Sequence, residues 1–278
     1  MERSLRWLPL IWPTVLLGVF FAVPFAIMVA VSFFHRQPGG FFEPGFELTH
    51  YQRFLTPFFL GRLGDSIGVA AAAAGMALAV AVPFTYLLTR ASRRFQVLWL
   101  IAILSVLSLS EVIVGFGWSV LLSRTAGLSN LMVAIGLMKE PQPWYPSLPG
   151  MVTGLAYVTL PYAVLLLYPR FSRFDRQLLE AAETMGASAP RRFFTVFLPV
   201  MRPALIAALV MMFVFVLGAY VIPQVLGRSE HWTLSVLITD QALFQSNIPF
   251  AAAMAIFLLA VSLALVWLVV RFAAVRRS

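Results

Sequence analysis

The sequence predicts an all-α polytopic membrane protein of about six transmembrane helices, with both termini cytoplasmic. Three observations carry that prediction. Of 278 residues, 61% are hydrophobic and 11% charged, where soluble domains run at about 45–50% and about 25%. The mean hydropathy is +0.90. The apolar residues gather into six long stretches, each near the roughly 20 residues that one crossing requires. Between the stretches fall the basic residues, biased to one side.

The spans read, in order, 7–34, 66–89, 96–122, 148–168, 203–226 and 250–271, inside a single transmembrane domain of residues 1–278. The first follows Arg3 and Arg6 but is too long for the apolar core of a secretory signal, and no small-residue cleavage site follows it. The second carries Ala70 to Ala74, Ala77, Ala79 and Ala81, preceded by Gly64-x-x-x-Gly68. Small residues of this kind let membrane helices approach closely, either within the subunit or at a gate or subunit interface. Pro24, Pro83, Pro161 and Pro223 interrupt apolar runs, which is tolerated where neighbours or a cavity satisfy freed carbonyls. Between the last two spans, Leu234, Leu237, Ile238 and Gln241 share a helical face, so a short interfacial or re-entrant external helix is expected there.

Orientation follows from the cations. With the N-terminus inside, the inner side holds Arg3, Arg6, Arg90, Arg93, Arg94, Arg170, Arg173, Arg176, Arg191, Arg192, Arg202, Arg271, Arg276 and Arg277. The outer side holds Arg36, Arg53, Arg62, Arg124, Lys139 and Arg228. That is 14 against 6, a positive-inside bias.

Several chemistries are excluded or disfavoured. The sequence has no cysteine, so disulfides, thiolate metal sites and cysteine nucleophiles are ruled out. Its one lysine, Lys139, stands between Met138 and Glu140, so no phosphate-binding loop is present. His35, His50 and His231 lack metal-binding spacing, and no Gly-x-Ser-x-Gly elbow occurs. The net charge of +9 lies between apolar runs rather than on a soluble basic face, so nucleic acid is not an expected partner. The chain is expected to be no enzyme and to bind no cofactor itself.

The inner loop at 170–202 carries the sharpest signal. Asp175 can cap a helix whose apolar face is Leu178, Leu179 and Ala182. Gly186 can end it in the left-handed conformation. Ser188 can cap a second helix with Pro190 in its first turn. A helix–turn–helix lying along the inner face of the membrane results, with an apolar ridge that calls for a partner.

This stretch resembles the EAA loop of ABC-importer permeases, whose pattern is E-A-A-x3-G-x9-I-x-L-P. Glu180, Ala181, Ala182, Gly186, Leu198 and Pro199 match it, with Val196 in place of isoleucine. The resemblance implies a MetI-like fold in the bacterial inner (cell) membrane, with this loop supplying a coupling helix that docks on a separate cassette ATPase dimer. In that scheme Glu180 meets polar or basic groups of the partner or braces the loop. Ala181 and Ala182 permit close approach, Gly186 turns the chain, and Val196, Leu198 and Pro199 lead back into the fifth span. The family further implies ATP and Mg on the partner ATPase, a second, related permease subunit, an extracytoplasmic substrate-binding protein and surrounding lipid. An ion-gradient-driven secondary transporter is the alternative; such carriers often show inverted repeats and paired broken helices, which are not visible here.

Resemblance extends further. The run Leu217 to Gly227 looks like the fifth-span ending of the spermidine/putrescine-type branch, as does Trp118 to Leu122 followed by Gly127 to Asn130. Where that branch often has an arginine before the tryptophan, this chain has Glu111-Val-Ile-Val-Gly-Phe-Gly117. Glu111 is the one acid within an apolar span, and an acid at a helix centre costs about 2.5–3.5 kcal/mol on insertion scales. It should therefore face a cavity or a partner. A carboxylate lining the path suits a cationic cargo such as a polyamine, and a structural acid bonded to a neighbouring helix is the other reading. Trp118, Tyr157, Tyr162 and Tyr220 are further candidates for the path, with helix packing or an interfacial belt as their other role. Trp144 and Trp232 in the outer loops are candidates for contact with the binding protein.

Overall fold

The computed structural model describes residues 8–37, 40 and 42–275, with side chains from 12 to 271 among them. Arg3, Arg6, Trp7, Arg276 and Arg277 lie outside these residues. The described chain is built of helices joined by short turns: α1 (Leu8–Val31), α2 (Thr49–Phe54), α3 (Pro57–Leu88), α4 (Arg93–Leu107), α5 (Glu111–Leu121), α6 (Leu128–Ala134) and α7 (Leu148–Ser172). Then follow α8 (Gln177–Thr184), α9 (Ala189–Gly218), α10 (Val221–Leu226), α11 (Leu234–Thr239) and α12 (Ile248–Val275). Five of them, α1, α3, α7, α9 and α12, are long and apolar enough to cross a membrane on their own. A sixth crossing is available if α4 and α5, bent by 97° at residues 108–110, count together.

The six expected spans are therefore present as apolar segments, but two of them are not continuous helices. The third breaks between Leu107 and Glu111. The fifth ends at Gly218, where Ala219 is extended (ψ 135°), before the short α10 begins. Neither break occurs at a proline. Helices α1, α3 and α7 run through Pro24, Pro83 and Pro161, and Pro223 sits inside α10. Hydroxyls repair the breaks instead. The Ser108 side chain donates to Leu104 O (3.1 Å), and the Ser110 hydroxyl accepts from Val112 N (3.3 Å). At the second break, the Ser235 hydroxyl donates to Ala219 O (2.7 Å). Backbone groups freed within an apolar environment need such partners.

The chain divides into two compact units: residues 1–61 with 237–261, and residues 62–236 with 262–278. The first unit has an aromatic core. Phe54 packs on Phe59 (5.3 Å between centroids), Phe250 (5.8 Å) and Phe257 (4.8 Å), and the Arg53 guanidinium lies 4.6 Å over the Phe250 ring. The same unit brings two histidines to one carboxylate, which their spacing did not foretell. Glu47 Oε2 lies 2.9 Å from His35 Nδ1 and 3.7 Å from His50 Nε2, and the Thr49 hydroxyl donates to the other oxygen. The Thr49 hydrogen bond, then that from His35, hold the Glu47 carboxyl below its ordinary range.

The second unit is held by close packing of small residues. Ala74, Ala77 and Ala81 of α3 share one buried cluster with Ala163, Val164 and Leu167 of α7 and with Ala208 and Met212 of α9. Apolar burial does not drive helices together within lipid, so dispersion contacts at short range must. The alanines pack inside the unit, as one reading of their pattern suggests; the glycines do not. A side chain at Gly64, Gly68 or Gly75 would meet no atom within 4 Å. The close approach is made elsewhere, at Gly154 of α7, where an added Cβ would come within 2.5 Å of Leu226.

In α11, Leu234, Ser235 and Val236 are all buried. Burial on consecutive positions is that of a packed segment, not of an interfacial helix with one wet face. Leu234 N donates to the Ser66 hydroxyl at 2.7 Å, tying the segment to α3 within the second unit.

Candidate functional site

Two places in the second unit carry polar groups that the fold presents for use. The first is the elbow between α7 and α9. Helix α7 ends at Ser172, and Asp175 Oδ1 accepts from Gln177 N (3.0 Å) at the start of α8. Gly186 takes φ +82°, the left-handed region where a side chain is strained. Its N–H bonds Glu183 O (2.8 Å) while Ala187 N bonds Ala182 O (3.0 Å). This pair of bonds satisfies the last carbonyls of α8 and turns the chain sharply.

Ser188 then stands at the N-cap position of α9 with Pro190 in the first turn, although no side-chain capping bond forms. The expected second short helix is in fact the start of the fifth span. After a single wide turn at Phe193–Phe197, the helix runs on without interruption to Gly218. Extra backbone in that turn lets both Phe193 and Phe197 point into the bundle.

The elbow is fixed to the bundle by these aromatics. Phe197 is 2% exposed and packs on Tyr86 (4.6 Å), Phe171 (4.8 Å) and Phe174 (5.0 Å). Leu179 and Ala182 of α8 are buried on this side. Leu178, expected on the same face, is not. It projects outward with Ala181 and, at the C-cap, Met185, three positions that share a face adjoining the buried one. Met185 is 80% exposed.

Charged contacts brace the arms. Arg192 pairs with Glu183 across the turn, and Arg176 Nη2 donates to Thr89 O (3.2 Å). Of the motif residues, Glu180, Ala181, Gly186 and Pro199 are exposed, Val196 and Leu198 half-buried, and Ala182 buried. Thus one face of α8 is locked, the adjoining one offers an apolar ridge, and the Glu180 carboxylate is exposed further round the helix.

The second place is the α4–α5 bend. Here Glu111 is not at the centre of a helix. It is the first residue of α5, directly after the N-cap Ser110. A carboxylate in the first turn is favoured by the helix dipole and by unpaired N–H groups. This lowers the cost that an uninterrupted span would impose. Glu111 is half-buried and lines a cleft of about 40 Å³ with Val106, Val114, Tyr157, Val158 and Tyr162. That volume admits water but no cargo molecule. Among the described residues no cation pairs with Glu111.

The fold thus gathers three of the predicted path residues, Glu111, Tyr157 and Tyr162, around one cleft. Trp118 reaches the same group through its edge contact with Tyr157 (5.5 Å). Tyr162 also packs on Phe215 (5.0 Å). Tyr220 does not line this cleft; it is exposed and precedes α10. Trp144 and Trp232 are half-buried. Sequence reasoning missed Val106 and Val158 as lining residues, because an apolar wall inside an apolar run leaves no signal.

Comparison with known proteins places this geometry. Residues 81–277 match the family described as "Binding-protein-dependent transport system inner membrane component". The chain is 25% identical over 237 residues to the "Spermidine/putrescine transport system permease protein PotB" of Haemophilus influenzae, covering 85% of this chain and 83% of that one. It is 26% identical over 240 residues to the protein of the same name from Escherichia coli, covering 86% and 87%. Among solved structures, a bacterial ABC transporter involved in import of the acidic polysaccharide alginate is similar with a TM-score of 0.77 at 16% identity, covering 98% of this chain and 96% of that one. The alginate transporter in complex with a pentasaccharide-bound periplasmic protein gives 0.75 at 15% identity, over 96% and 93%. At such identities the likeness is one of fold.

Proposed function

This chain belongs to the family of binding-protein-dependent transport system inner membrane components, a multi-pass inner-membrane permease subunit, and on that premise we propose how it works. The elbow at 170–202 is the handle by which a cassette ATPase dimer drives transport. The observation that carries this reading is the division of α8 into a locked face (Leu179, Ala182) and an exposed ridge (Leu178, Ala181, Met185). Force applied to the ridge is passed through Phe197 to α3 and α7 rather than absorbed by a loose loop. Glu180 supplies a polar contact beside the ridge, and Gly186 sets its angle. Val196, Leu198 and Pro199 carry the motion into α9.

ATP and Mg are held by that partner, and hydrolysis belongs there. A second, related permease completes the pathway, and an extracytoplasmic binding protein delivers cargo. Both termini are cytoplasmic in this arrangement, which places the elbow on the ATPase side.

The cargo is a polyamine or another small polar solute. Supporting this are the relatives named for spermidine and putrescine and the unpaired Glu111 carboxylate beside Tyr157, Tyr162 and Trp118. Carboxylates and aromatic faces both attract ammonium groups. The test is uptake by the reconstituted transporter. Glu111→Gln should lower the rate of spermidine uptake about tenfold or more, as loss of a direct charge contact of about 1.4 kcal/mol or more would, with the ATPase still co-purifying. Unchanged kinetics would remove Glu111 from the path. Failure of the ATPase to co-purify with the wild-type chain would overturn the coupling role.

A further inference from the structure

The cleft at Glu111 is too small for a cargo molecule, but a larger cavity of the same unit opens beside it. That cavity measures about 190 Å³, with Val80 and Phe84 of α3, Trp99, Ala102 and Val106 of α4, and Tyr157 of α7 in its wall. Val106 and Tyr157 line the Glu111 cleft as well. One valine and one tyrosine therefore form the boundary that the two spaces share.

The two ends of the cavity differ. At the near end stands Tyr157, backed by Trp118 and next to the carboxylate. At the far end Trp99 precedes Val106 on α4 by about two helical turns, or about 10 Å, and Phe84 meets its ring edge to face (5.3 Å between centroids). Trp99, Ala102 and Val106 recur on one helical face, so the wall between the ends is a single apolar stripe. A hydroxylated cargo would give up water there and gain no partner. Methylene groups are suited to it. A dry apolar cavity of about 150 Å³ takes up benzene, so this one has room for a chain of about six carbons. An ammonium carried at the end of such a chain meets aromatic rings, which attract cations.

We infer that cleft and cavity are the two halves of one site for an aliphatic diamine. One ammonium rests on Glu111, the spacer passes between Val106 and Tyr157, and the second ammonium lies against Trp99 and Phe84. The inference rests on Glu111 lining the path, and it adds spacer length to charge as a property this chain selects. Val80 and Trp99 are 51% and 38% exposed, so the chain leaves one side of the cavity open, and a lipid tail or a helix of the second permease would compete with the diamine for it.

The experiment titrates the whole transporter, in nanodiscs and without its binding protein, with diamines from propane-1,3-diamine to hexane-1,6-diamine. Binding is read from Trp99 fluorescence, taken as the difference between the protein with and without Trp99→Phe. Each added methylene should tighten binding about fourfold. Val80→Phe, which fills the cavity from an exposed position, should flatten the series, and Ala102→Leu should do the same from α4. Glu111→Gln should weaken every member by a similar factor. A flat series in the wild type, with Glu111→Gln still weakening binding, would overturn the cavity's part and leave the path reading standing. Binding indifferent to Glu111→Gln would remove both. A length dependence that survives Val80→Phe and Ala102→Leu would overturn the inference, and so would no Trp99 response to any diamine, the result expected if lipid or a partner helix fills the cavity.

Discussion

Two breaks in the helical chain of the second unit, at Gly186 and at Ser108–Ser110, are made by different chemistry. At Gly186 the turn needs a left-handed residue, and the end of α8 is satisfied by backbone bonds from Gly186 and Ala187. At Ser108–Ser110 no residue has positive φ. The turn is made by two serine hydroxyls, and a carboxylate opens the next helix. The elbow is rigid because aromatics pin it from one side. The bend is open because Glu111 faces a small cleft with no cation opposite it. A rigid element suits the transmission of force, and an unpaired charge suits contact with something that moves.

Four substitutions would break or sharpen that contrast. The largest effect is expected at Phe197. Removing a buried phenylalanine costs about 3–5 kcal/mol, so Phe197→Ala should lower the melting temperature in detergent markedly and abolish uptake; a variant that melts like wild type would mean the elbow is not anchored there. Next comes Gly186→Ala. An added Cβ meets no atom within 4 Å, so the cost is backbone strain alone, about 1–2 kcal/mol. Uptake and ATPase co-purification should fall, with only a small change in melting temperature.

A smaller effect is expected at the bend. Ser110→Ala removes an N-cap, worth about 1 kcal/mol, and should loosen the start of α5. Faster hydrogen exchange confined to residues near 111–114 would be its mark, and unchanged exchange would show that the cap is dispensable. The smallest effect lies in the first unit. Glu47 titrates below its ordinary value, so its contribution to stability is present at neutral pH and is lost as pH falls through that lowered value. Glu47→Gln should therefore melt slightly lower than wild type at pH 7, with the difference vanishing in acid; a gap that persists at low pH would assign the effect to something other than charge.

How far these features were legible before the structure differs between the same two regions. The elbow could be read almost residue by residue. Asp175, Gly186, Ser188 and Pro190 each announce a local conformation by side-chain chemistry alone. The buried face of α8 was found in Leu179 and Ala182; what escaped was its edge, because Leu178 is as apolar as Leu179 and only tertiary packing leaves it exposed. The length of α9 escaped for a related reason: a wide turn inside a helix changes no residue pattern.

The bend carried its signal too. Ser110 followed by Glu111 is a helix start, but it sits within an apolar run long enough to read as one span, and hydropathy took precedence. The glycines of α3 are not used for packing within the unit. Gly64-x-x-x-Gly68 has the spacing of a packing motif, yet the close contacts of the unit use Ala74, Ala77, Ala81 and Gly154. Spacing states what a helix face permits, and only the partner decides whether the permission is used.

The central claim is that the exposed ridge of α8 is the face an ATPase grips. Because the chain has no native cysteine, a single Met185→Cys variant reports on that face without background. Its rate of reaction with a maleimide, measured in the permease with and without the cassette subunits, should fall at least about tenfold on assembly, as burial of an exposed thiol demands, while a Leu243→Cys control keeps its rate. Equal labelling of Met185→Cys in the free and assembled states would contradict the account.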